Sequence, residues 1–128
     1  MVALVPLYMV DTSALVKYYH PEAGSSQVIA IADDPDNTLF ISRIGFVEIH
    51  SALARKVRTG EIREATFQQS LRRFYADLRG RKFRLIRSSP LHERQAIRLL
   101  VRRGPTLPLR TLDALQLSAA LWLNIRLH

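Results

Sequence analysis

The chain has 128 residues, 48% of them hydrophobic, with no cysteine and with 19 Lys and Arg against 11 Asp and Glu, a net charge of +8. That length supports one domain, residues 1-128, able to bury roughly two-thirds of its unfolded surface. The absence of cysteine excludes disulfides, thiolate zinc sites and iron-sulfur clusters, and the positive charge suits a polyanionic partner.

Met1 to Val10 is apolar but far short of the roughly 20 residues of a spanning helix, and it lacks a basic leader and a small-residue cleavage site. The expectation is a soluble, cytoplasmic protein with no membrane partner. From Leu7 to Tyr19 (LYMVDTSALVKYY) an apolar run ends at Asp11. Thr12 and Ser13 then open a segment whose Ala14, Leu15, Tyr18 and Tyr19 recur at helical spacing, so this stretch reads as strand, acid, helix. In open α/β sheets ligands bind beyond the carboxyl ends of the strands, which aims Asp11 at the usual site. Asp is equally a good N-cap, and only convergence of other acids on Asp11 separates the two roles.

His20-Pro21 closes the first helix, because proline disfavours helical geometry in the residue before it. Glu22 to Ala32 reads as the second helix, stopped by Asp33-Asp34-Pro35-Asp36-Asn37. That acidic turn is no EF-hand loop, since neither Asp33 nor Asp34 is followed by Gly at the sixth position and Glu at the twelfth. Thr38 to Ser42 is a compact β-rich run, the second strand. A helix from about Ile44 to Arg58 follows, with Phe46, Ile49, Leu53 and Val57 as its inward stripe and Thr59-Gly60 as its stop. Glu48 stands beside that stripe between Ile44 and Ala52, with no basic residue one turn away on its own face.

Glu61 to Arg79 is a longer helix with Ile62, Ala65, Leu71, Phe74, Tyr75 and Leu78 apolar. Its Arg72, Arg73 and Arg79 are candidates to track an RNA backbone, while Tyr75 and Phe83 are read as core. Lys82 to Arg87 alternates charged with apolar and reads as an edge strand. Pro90 to Arg103 is a helix ended by Gly104-Pro105, and Arg110 to Leu123 is a last helix, apolar nearly all round and therefore expected to be buried. Asp113 in its first turn suits the helix dipole, yet a carboxylate opening a buried helix needs a partner. Alternating elements of this kind predict a parallel sheet with helices on its faces.

Asp11, Glu48 and Asp113 are thus three acids set in mainly apolar surroundings. Their stretches, VDTSALVKYY, FVEIHSALAR and LRTLDALQLSAAL, resemble the PIN domain, specifically the VapC-type toxins of bacterial and archaeal toxin-antitoxin pairs, over nearly the whole chain. The resemblance implies a three-layer α/β/α sandwich with a central parallel sheet and a Mg2+- or Mn2+-dependent endoribonuclease. It implies Asp11 and Asp113 as metal ligands, Glu48 as a ligand or orienting group, and Ser13 as the hydroxyl that supports Asp11. It also implies a homodimer and a cognate antitoxin lying across the acids. The family pattern continues past the Asp113 helix into a further strand, a fourth acid and a final helix. Here the sequence stops at His128, so the expected fold lacks that last strand and helix, and weak metal binding is expected.

Other chemistries fit less well. His20, His50, His92 and His128 fall on different elements without the i,i+4 spacing of a helical metal motif. No G-x-S-x-G elbow is present. A phosphatase with Asp11 as nucleophile would carry a second Asp where Ser13 stands. The competing reading is a PIN-fold domain that binds RNA or antitoxin without turnover.

Overall fold

Three short strands, each followed by helix, build the molecule. The computed structural model describes residues 6–87 and 89–127, with the backbone alone over 122–127. The apolar leader 1–5 and His128 therefore lie outside the described residues. In chain order the elements are β1 (Leu7–Met9), α1 (Thr12–Tyr19), α2 (Ser25–Asp33), β2 (Thr38–Ile41) and α3 (Arg43–Arg58), then α4 (Glu64–Arg79), β3 (Phe83–Leu85), α5 (Pro90–Arg103) and α6 (Thr111–Leu127). The sheet has the order β1-β2-β3 and is parallel throughout, with Tyr8 opposite Leu39 and Phe40 opposite Arg84. β3 lies at an edge, as its alternating pattern predicts.

Strand alternation divides the core. Leu39, Ile41 and Phe83 join Leu15, Val16 and Tyr19 of α1, Ile49 and Leu53 of α3 and Phe74 of α4 in one buried cluster. On the other face Ile86 and Ala119 of α6 are buried against Met9 and Phe40, and α5 packs on α6. These are the three layers that the alternating elements predict.

Several boundaries shift for local reasons. α2 begins at Ser25, not Glu22, because Gly24 turns the chain through φ +92°, a left-handed conformation that glycine adopts without strain. α4 begins at Glu64, not Glu61, because the Glu61 and Ile62 N–H groups fold back onto the Lys56 carbonyl and close α3. Ser42 belongs to no strand; its hydroxyl caps α3 by accepting from the Gly45 N–H at 2.9 Å. Phe83 is core as read, and His50 is satisfied between the Phe46 carbonyl at 2.8 Å and the half-exposed Tyr75 hydroxyl at 2.6 Å.

The acidic turn after α2 is tied down at one point. Lys82 Nζ donates to Asp33 Oδ1 at 2.6 Å and to the Tyr18 hydroxyl at 2.7 Å, and Tyr18 in turn donates to Asp33 Oδ1 at 2.7 Å. The hydrogen bonds from Lys82 and Tyr18 hold the Asp33 carboxyl below its usual range. A depressed carboxylate contributes stability above its unfolded pKa of about 3.9 and loses it as pH falls through the folded value. The stability gap between wild type and Lys82→Met is therefore expected to be wider at pH 6 than at about pH 3, below the unfolded pKa. Urea midpoints at the two pH values test this; a gap equally wide in acid would assign the effect to packing of the lysine stem.

Candidate active site

The site lies at the carboxyl ends of β1 and β2. Asp11 follows β1 directly and is the N-cap of α1. Its Oδ1 accepts from the Ala14 N–H and from the Ser13 hydroxyl, each at 2.9 Å. Both oxygens of Glu48, half-buried on α3, are engaged: Oε2 accepts from the Thr12 hydroxyl at 3.0 Å, and Oε1 from Gln116 Nε2 at 3.4 Å. Gln116 Nε2 also reaches Thr12 Oγ1 at 3.3 Å, and its Oε1 accepts from the Ser42 hydroxyl at 3.3 Å. Asp113, one turn before Gln116 on α6, accepts from the Arg110 N–H at 3.3 Å, the carboxylate half of a capping box.

Asp11, Glu48 and Asp113 all line one cleft of about 740 Å³, together with Thr12, Ser13 and Gln116. Three helices from distant parts of the chain thus bring together the acids that the sequence singles out. Among the described residues Asp11 Oδ2 and Asp113 Oδ1 accept no hydrogen bond and remain available to a ligand. A second groove, of about 500 Å³ between α5, α6 and the start of α3, is walled by Ile86, Ala96, Ile97 and Leu115 and offers far fewer oxygen donors.

One expectation needs correction. α6 is not buried all round, because its small residues Ala114, Ser118 and Ala119 make the close approach to the protein, leaving Leu112 and Leu117 49% and 44% exposed. Asp113 is accordingly exposed, and its partner is a backbone N–H of its own helix end. Arg72 and Arg73 project from α4 into solvent, with Arg73 stacked over the Tyr19 ring at 5.3 Å, and Arg79 ends that helix. The cations bordering Glu48 come from α3, where Arg55, Lys56 and Arg58 line the groove that holds Glu48 and Thr12.

Sequence reasoning also passes over Thr12, Gln116 and Glu22. Glu22 lines the acid cleft but is engaged by Lys17 at 3.6 Å and Lys56 at 3.5 Å. The spacing of Gln116 from Asp113, one helical turn, places both on one face of α6 and is the cue that could have found it.

The PIN domain profile matches residues 8–127. The chain belongs to the PIN domain family. Asp11, Glu48 and Asp113 all fall inside the PIN match. Among solved structures, this PIN domain is similar to a chain of the crystal structure of VapBC2 from Rickettsia felis bound to a DNA fragment from their promoter. That likeness has a TM-score of 0.60 at 22% identity and covers 89% of this chain and 80% of the other, and it shows the shared fold. No curated protein matches this PIN domain.

Proposed function

We propose that this PIN domain is the toxin of a toxin-antitoxin pair, a divalent-metal-dependent endoribonuclease that hydrolyses RNA phosphodiester bonds. The observation that supports it most is the lining of one cleft by carboxylates from α1, α3 and α6 at the carboxyl end of a parallel sheet. Oxygen-only donors suit Mg2+ or Mn2+, which keep several waters. Among the described residues no three His, Cys, Asp or Glu side chains are placed to hold one ion. In this reading a hydrated cation would be held partly through its waters. Such a cation supplies charge against the developing phosphorane and a more acidic water.

In this reading Asp11 and Asp113 hold the cation through their open oxygens. Ser13 fixes the rotamer of Asp11, and Thr12 and Gln116 fix Glu48 beside it as ligand or orienting group. The exposed Leu112 and Leu117 beside the cleft give a cognate antitoxin or a second copy of the chain an apolar foothold. A cytoplasmic setting belongs to the same reading. Among the described residues no helix is long and apolar enough to cross a membrane.

The unconverged carboxylates favour one alternative, a domain that retains RNA or antitoxin without turnover. Cleavage of single-stranded RNA in Mg2+ or Mn2+, set against EDTA and Asp113→Asn, separates the two. The nuclease reading expects cleavage that both controls abolish. RNA retention with intact RNA under every condition would establish the alternative.

A further inference from the structure

We infer that the RNA leaves the acid cleft along the carboxyl-terminal half of α3, where Arg55 and Arg58 hold phosphates to one side of the scissile bond. This inference rests on the ribonuclease reading and adds to it a direction and two named contacts.

Glu48, Ala52, Arg55 and Thr59 recur at i, i+4, i+7 and i+11, one stripe of a helix. All four, with Ser51 and Arg58, line a single groove of about 530 Å³ that shares Thr12 and Glu48 with the acid cleft. At a rise of 1.5 Å per residue, Arg55 and Arg58 lie roughly 10 and 15 Å along the axis from Glu48. The floor between them and the acid is Ser51 and Ala52, small side chains over which a backbone can pass.

Charge along the groove is uneven. Lys56 is taken up by Glu61 at 3.0 Å and Glu22 at 3.5 Å, and with Lys17, 3.6 Å from Glu22, these four residues balance in charge. The side chains of Arg55 and Arg58 make no ion pair or hydrogen bond among the described residues. Cations in the last turn of α3 also complement the helix dipole, but that effect is indifferent to which side of the helix they occupy. Both arginines share the groove with Glu48.

The test is fluorescence anisotropy of a labelled single-stranded RNA on the Asp113→Asn variant in Mg2+, at several salt concentrations. Adding Arg55→Gln and Arg58→Gln is expected to weaken binding about ten- to a hundredfold and to lower the salt slope by about 1.4, the value for two lost contacts on a single strand. In active protein the same pair should slow cleavage of long RNA, and the deficit should vanish as the RNA is trimmed from one end to stop at the cleft. Unchanged affinity and slope, or a loss seen instead with Arg72→Gln, Arg73→Gln and Arg79→Gln on α4, would overturn the α3 track and leave the nuclease reading intact. Protein that neither binds nor cleaves RNA would overturn both.

Discussion

Asp11→Asn is expected to reduce RNA cleavage about a thousandfold while leaving the fold as stable as wild type. Asp11 has two separable jobs. Its Oδ1 caps α1 through the Ala14 N–H and takes the Ser13 hydroxyl, and its Oδ2 faces the cleft. Asparagine keeps an amide oxygen for the first job, and Asn ranks with Asp as an N-cap. It loses the charge on which the second depends. Asp11→Ala loses both and is expected to cost about 1 kcal/mol of stability besides the activity. Single-turnover cleavage and thermal unfolding of the two variants make the comparison. An Asn variant that cuts RNA near the wild-type rate would reduce Asp11 to a helix cap.

The largest expected effect on stability is at Phe74. Its side chain is fully buried in the centre of the main core, with the Tyr19 ring 5.8 Å away edge-on and Phe46 at 5.9 Å. Phe74→Ala is expected to cost about 3–5 kcal/mol, a transfer loss plus a cavity, out of a total near 5–15 kcal/mol. For a domain of this size that lowers Tm on the order of 10–20 °C. Arg72→Ala, on the exposed side of the same helix, should stay within about 0.5 kcal/mol of wild type. Chemical denaturation of the two variants checks the contrast, and a Phe74→Ala loss below about 1 kcal/mol would mean that the core refills the space.

The parallel sheet and its helices were legible because apolar runs end at residues that punctuate them, as at Asp11, Gly60 and Gly104, whereas Ser42 reads as strand and is the cap of α3. Charge made the acids legible as well, since a carboxylate among apolar residues is conspicuous. Thr12 and Gln116 carry no charge and occur on any helix, so their part in holding Glu48 emerges only when α1, α3 and α6 meet. The arginines of α3 escape sequence reasoning for a topological reason. α3 starts from the carboxyl end of β2, and only the fold shows that its Arg55, Lys56 and Arg58 line the groove that holds Glu48. The exposed leucines of α6 misled in another way. Composition shows that a helix is apolar without showing which of its faces the protein itself covers.

The bond from Gln116 to Thr12 joins residues 104 positions apart, and that from Gln116 to Glu48 spans 68. During synthesis, 65 residues must be added after Glu48 before Asp113 exists. At elongation rates of about 5–20 residues per second this takes roughly 3–13 s, and the ribosome tunnel delays it further. Through that interval the growing chain carries β1 and β2 with Asp11 and Glu48, but neither the Gln116 amide that steadies Glu48 nor the Asp113 carboxylate of the same cleft. The hydrogen-bonded centre thus forms only once α6 has been made and has docked, and the proposed cleavage of RNA waits on that step.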